Sequence, residues 1–254
     1  MSTVAKNTAV SDRPGVTASE ESRRRRQAAA IYSRLSQVID PKPELLFGSV
    51  FELLIAVVLS AQATDRSVNA VTRRLFAQCR TPQDYLALGQ ERLEELTRTI
   101  GLYRAKSRSI IGLCRQLLER HHGQVPDRFA DLVALPGVGV KTANVVLNVG
   151  FGQPVIAVDT HIFRVANRTG LACAKTPEAA GQLLMRRTPS QYLRDAHHYL
   201  LLHGRYTCTA RNPKCGTCPI AGYCRAHTVT GKDSTLCAGN GNGGGKLERN
   251  GNSR

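Results

Sequence analysis

The chain has 254 residues, 42% of them hydrophobic, which is enough to bury one or two cores. Thirty-five Lys and Arg against nineteen Asp and Glu leave a net charge of +16, so a polyanion, nucleic acid first, is the expected partner. No apolar run approaches the ~20 residues that cross a bilayer, and the stretch after Arg23 to Arg26 turns polar at Tyr32, Ser33 and Arg34 before a signal core can form; a cytoplasmic protein without a membrane partner is expected.

Residues 1–21, rich in Ser, Thr and Ala without periodicity, read as a disordered tail. Leu53 to Leu59 is an apolar run suited to a buried helix. Thr81-Pro82-Gln83-Asp84 opens another: threonine caps free N–H groups, proline suits the first helical position and Asp84 stands where a capping box places its acid. Leu93, Leu96 and Ile100 share a face, as do Ile110, Cys114, Leu117 and Leu118, giving two stripes for packing. Gly89, Gly101, Gly123 and Gly204 follow helical stretches, where a left-handed residue would end each one. Val155-Ile156-Ala157-Val158 is too short and isolated for a sheet and reads as an extended connection. Thr176-Pro177-Glu178 and Thr188-Pro189 repeat the Thr-Pro opening, and residues 231–254, dominated by Gly, Asn and charge, form a second disordered tail. The punctuation describes an all-α protein with short connections.

Two features carry chemistry. In Leu135-Pro136-Gly137-Val138-Gly139 the proline restrains the entry and the glycines allow tight backbone, which suits a hairpin between helices. Exposed N–H groups at Gly137, Val138 and Gly139 can hold a phosphate, although an ordinary interhelical turn has the same residues. In the helix that follows, Ala143, Val146, Leu147 and Gly150 form an apolar face and Lys141, Asn144 and Asn148 a polar stripe. Lys141 falls in the first turn, where the helix dipole disfavours an ammonium, and a neutral amine is a nucleophile. Asp159, in Val158-Asp159-Thr160-His161, is either a helix N-cap or a carboxylate serving that lysine. His161, His197 and His198 read as structural histidines.

The second feature is Cys208, Cys215, Cys218 and Cys224, separated by six, two and five residues. Four thiols this close, without a secretory route to disulfides, indicate a metal; both zinc and an iron–sulfur cluster accept four cysteines. Cys79, Cys114 and Cys173 lack such spacing and read as free thiols, with Cys237 in the tail.

Several longer stretches occur in one order: Leu59-Ser60-Ala61-Gln62-Ala63-Thr64-Asp65, Ile100-Gly101-Leu102-Tyr103, Leu135 through Asn148, Val158 to Arg164, and His203-Gly204-Arg205-Tyr206 leading into the cysteines. From about Arg23 to Cys224 the chain resembles the helix-hairpin-helix DNA glycosylase superfamily, and within it the endonuclease III family. The resemblance implies a two-lobed fold with a DNA groove between the lobes: a six-helix barrel domain over 43–153 bearing the hairpin, and an iron–sulfur cluster domain from 22–42 plus 154–230. It implies a base-excision-repair enzyme, a DNA glycosylase and abasic-site lyase that removes oxidised or ring-damaged pyrimidines from duplex DNA and cleaves 3′ to the abasic site through a lysine Schiff base.

Carried over residue by residue, Lys141 resembles the nucleophile and Asp159 its essential carboxylate, while Gln62 and Leu102 resemble the residues that fill the gap left by a flipped nucleotide. From sequence alone those two read equally as a loop polar residue and a packing residue. The cysteine spacing resembles the family's [4Fe–4S] motif, with Arg205, Arg211 and Lys214 around the first cysteine loop facing DNA phosphates. The family commonly has an arginine where this chain has Val140. A monomer suffices for the chemistry. The rivals are an adenine-mismatch glycosylase, against which Lys141 and the short C-terminal tail argue, and a noncatalytic zinc-bearing DNA-binding module, which leaves Lys141 and Asp159 unused.

Overall fold

A computed structural model describes residues 17–228, and every regular element in that range is helical. In chain order these are α1 (Ala18–Val38), α2 (Val50–Ser60), α3 (Asp65–Phe76), α4 (Pro82–Leu88), α5 (Gln90–Thr97), α6 (Tyr103–His121), α7 (Phe129–Val133) and α8 (Val140–Val145). A wider π turn, Val146–Gly150, extends α8; then follow α9 (Thr160–Thr169), α10 (Pro177–Arg187), α11 (Ser190–Leu193), α12 (Ala196–Tyr206) and α13 (Arg225–Thr228). The expected tail 231–254 lies outside the described residues, as does most of 1–21. The exception corrects the N-terminal boundary: Ala18 to Glu21 belong to α1. Thr17 caps that helix through Glu20 N–H, and Glu21 forms an ion pair with the buried Arg187, a partner 166 residues away that composition does not reveal.

Two apolar cores make the molecule two-lobed. One gathers α2 to α8 around Leu54, Leu59, Leu93, Ile110, Leu113 and Val146. The other joins α1 to α9, α10 and α12 through Ile31, Leu35, Ile162, Val165, Leu184 and Leu200. The apolar run 53–59 is buried throughout, and Val155 to Val158 is the extended connection by which the chain passes from the first core to the second.

Local signals hold where the chain completes them by itself. Thr81 and Asp84 form a full capping box, and Thr176 caps α10 through Ala179 N–H. Gly89 and Gly123 have φ of 78° at the ends of α4 and α6. Four expectations fail because a distant neighbour decides. Gly204 lies inside α12, where its missing Cβ lets α9 approach; a Cβ there would come within 2.9 Å of His161 Cβ. After α5 the left-handed residue is Leu102, at φ 60°, not Gly101. Thr188 does not cap α11, which starts at Ser190; its hydroxyl bonds Tyr32 Oη in the second core. Asn148 is buried rather than on a polar stripe, its amide donating to Gln153 O and Arg194 O across the two lobes.

Candidate active site

The hairpin is built against α6. Leu135 and Val138 are buried, Val138 N–H donates to Leu135 O at 3.1 Å, and Pro136 packs over Gly112. Gly137 adopts φ 77° where a Cβ would lie 2.7 Å from Ser109 Cβ, so both space and dihedral require glycine. Val138 thus anchors the turn with its side chain, while Gly137 and Gly139 leave exposed backbone. Gly139 N-caps α8 and sets Lys141 in its first turn.

Lys141 is exposed on the wall of a cavity of about 170 Å³ between the lobes, shared with Gln62, Asp65, His197, His198 and Arg205. Asp159 ends the extended connection as the N-cap of α9, its Oδ1 accepting from Ile162 N–H at 2.8 Å. No ion pair within 4.0 Å joins Asp159 to Lys141 among the described residues. His197 of α12 lies between their elements: its ring is 4% exposed and feels both the backbone of Ala157, two residues before Asp159, and the charge of Lys141. Burial first, then His198 and Lys141, push His197 down to about 3, so the imidazole is neutral, and its Nδ1 has no protein partner. The burial of His197 agrees with its expected reading as a structural histidine, and only its tertiary neighbours place it beside Lys141.

Gln62 and Leu102 occupy two loops at the rim. Both are exposed, Leu102 at 63%, and both are non-glycine residues with positive φ, 55° and 60°. Strain of this kind persists only where surrounding structure imposes it.

Arg205 departs from its expected role. Its guanidinium binds both Glu44 and Asp65, and Tyr206 Oη donates to Glu44, so this arginine is committed to a bridge between lobes rather than to a phosphate. Arg211 and Lys214 remain exposed on the first cysteine loop.

That loop is held by two arginines of α9 that the sequence did not single out. Arg164 donates to Gly204 O and Cys208 O, and Arg168 to Thr209 O and Ala210 O, with Nη1 3.6 Å from Cys208 Sγ. Cys208, Cys215, Cys218 and Cys224 carry no disulfide. Burial, and further down the mutual repulsion of the set, push Cys218 and Cys224 above the ordinary thiol range, so thiolates there call for a cation. Among the described residues no three His, Cys, Asp or Glu side chains close around a single ion; Cys215 and Cys218 bracket one 3-10 turn, and a set of four thiols is a donor set that an iron–sulfur cluster accepts. Elsewhere, Cys79 and Cys114 are free and buried as expected, but Cys173 is disulfide-bonded, which corrects its reading as a free thiol.

Residues 55–190 match the model of the HhH-GPD superfamily of base excision DNA repair proteins. The chain belongs to this superfamily. Residues 208–224, the stretch that holds the four cysteines, match the iron-sulfur binding domain of endonuclease III, and the protein carries a [4Fe–4S] cluster. Endonuclease III of Escherichia coli is 56% identical over 184 residues, covering 72% of this chain and 87% of the relative. That of Treponema pallidum is 55% identical over 189 residues, 74% and 90%. Among solved structures, a trapped endonuclease III–DNA covalent intermediate superposes with a TM-score of 0.75 at 44% identity, over 81% of this chain and 97% of that one. A thermostable thymine-DNA glycosylase, 22% identical with a TM-score of 0.71 over 82% and 98%, shares the fold. The protein is a base excision repair DNA glycosylase that binds damaged DNA. No described helix is long and apolar enough to cross a membrane.

Proposed function

We propose that the enzyme is bifunctional, a monomer acting in the cytoplasm that removes oxidised or ring-damaged pyrimidines from duplex DNA and then cuts the strand 3′ to the abasic site. The observation that carries this reading is Lys141, an exposed amine on the wall of the interlobe cavity, directly after the phosphate-binding hairpin. The similarity to a trapped covalent intermediate supports an enzyme–DNA bond.

In the proposed reaction, neutral Lys141 Nζ bonds C1′ while the C1′–base bond breaks and its electrons leave with the base, which takes up a proton. Opening of C1′–O4′ leaves a protonated imine. The imine acidifies C2′–H; loss of that proton sends its electrons toward the imine, and the 3′ phosphate departs. Water then hydrolyses the imine and frees the lysine. Asp159 balances positive charge at C1′ and relays protons through the carboxylate oxygen that does not cap α9. Exposed backbone at Gly137 and Gly139, with Arg211 and Lys214, holds phosphates, and Gln62 and Leu102 fill the space of the flipped nucleotide. A [4Fe–4S] cluster on the four cysteines supplies a rigid staple for the loop bearing Arg211 and Lys214; neither cleavage step changes net oxidation state. The domain limits that fit these roles are 43–153 for the hairpin lobe and 18–42 with 154–228 for the cluster lobe, α1 moving the first limit back from the expected 22.

A 5′-labelled duplex with one oxidised pyrimidine tests the reading. The expected product ends in a 3′ unsaturated aldehyde, formed without added alkali. Base release that leaves the strand intact until alkali is added would make the enzyme a simple glycosylase.

A further inference from the structure

Lys106 is a buried cation that the reaction does not use. Only 7% exposed, at the end of the first turn of α6, it has no acidic partner among the described residues. Instead its Nζ donates to two backbone carbonyls at the end of α2, Leu59 O at 2.8 Å and Ala61 O at 2.6 Å. Taking an ammonium out of water is costly, and a helix C-terminus, with free carbonyls and the negative end of the dipole, is one place that offsets the cost.

The position of these contacts is informative. Ala61 immediately precedes Gln62, and Lys106's own N–H donates to Leu102 O at 3.0 Å in the first turn of α6. One residue therefore grips the base of both rim loops, side chain on one and backbone on the other. The loops abut there, with Gly101 so close that a Cβ would lie 4.0 Å from Gln62 O. Both loops end in strained left-handed residues, Gln62 and Leu102.

We propose that Lys106 is a positioning residue that locks Gln62 and Leu102 into a single two-pronged wedge of fixed separation, so that duplex opening, not the covalent chemistry, depends on it. The proposal rests on the reading of those two residues as the wedge. Loss of the ammonium frees Ala61 O, lets Gln62 relax toward ordinary φ, and changes the spacing of the prongs.

The test is a cycle of single-turnover rates on an abasic duplex, with enzyme saturating, for wild type, Lys106→Met, the pair Gln62→Ala with Leu102→Ala, and all three together. 2-Aminopurine opposite the lesion reports unstacking. The expected result is a fall of about tenfold or more for Lys106→Met, as small misplacements produce, with a matching loss of fluorescence amplitude and no further loss when the wedge residues are already alanine. Should Lys106→Met not fold, Lys106→Leu, which also removes the donor, takes its place in the cycle. A Lys106 effect that multiplies with the wedge deletion, or an absent effect where wedge deletion is damaging, overturns the inference. A wedge deletion that costs nothing instead refutes the wedge itself, and the role of Lys106 falls with it.

Discussion

A neutral His197 makes the folded protein acid-sensitive. Burial holds its folded pKa at about 3 against 6.5 for the free side chain. Between those values the unfolded chain binds a proton that the folded ring refuses, so stability rises with pH there. The contribution is complete above the unfolded pKa and is lost as pH falls toward about 3, at up to about 1.4 kcal/mol per unit. Replacing the ring with phenylalanine keeps its volume and removes the titration. Measured from pH 7.5 down to about 5, the melting temperature of the wild type should fall more steeply than that of His197→Phe; parallel curves would show that His197 is not held neutral. The same residue shows why burial matters for the site: the buried ring lies beside Lys141 and close to Ala157, in the extended connection that leads to Asp159.

At the scale of elements, the sequence was readable wherever the residues that decide a feature are neighbours in the chain. The Thr81 box needs only Asp84, and the positive φ of Gly137 is a demand of its own turn, so both are visible in the sequence; the second demand on Gly137, the closeness of Ser109, is not. Lys141, Asp159, Gln62, Leu102 and the four cysteines stand out in the sequence because they lie in long ordered motifs, and their roles remain those proposed above. Gly204, Asn148 and Arg205 were misread, and Lys106 was not noticed, because each is defined by a partner many residues away: His161, Arg194, Glu44 and Ala61 respectively. For Gly204 this gives a direct expectation. Alanine is a better helix former than glycine, yet its Cβ would press on His161 Cβ at 2.9 Å and His161 O at 3.2 Å. Gly204→Ala should therefore destabilise by about 1–3 kcal/mol, read by denaturant unfolding; a neutral or stabilising result would mean that α9 and α12 are not closely packed there.

Across the whole molecule, a cavity lies between the two cores, lined by Gln62, Asp65 and Lys141 from the first lobe and by His197, His198 and Arg205 from the second. The first lobe presents the hairpin, Lys141 and the rim loops; the second presents Asp159, His197 and the cysteine loop that Arg164 and Arg168 tie to α9. The Arg205 bridge to Glu44 and Asp65 and the Asn148 bond to Arg194 cross between them. Iron and acid-labile sulfide measured on anaerobically purified protein should give about four of each per chain, and Arg168→Ala should lower that retention because its bonds fix the first ligand loop. Stoichiometric zinc without sulfide would contradict the cluster assignment.

The claim on which the mechanism turns is that Lys141 Nζ bonds to the sugar. Borohydride reduction during reaction with an abasic duplex measures that bond directly, because it converts the imine into a stable amine that survives denaturing gels. Wild-type protein should give one covalent adduct, and Lys141→Ala should give none while still binding the duplex. An adduct of equal yield in Lys141→Ala would place the nucleophile elsewhere.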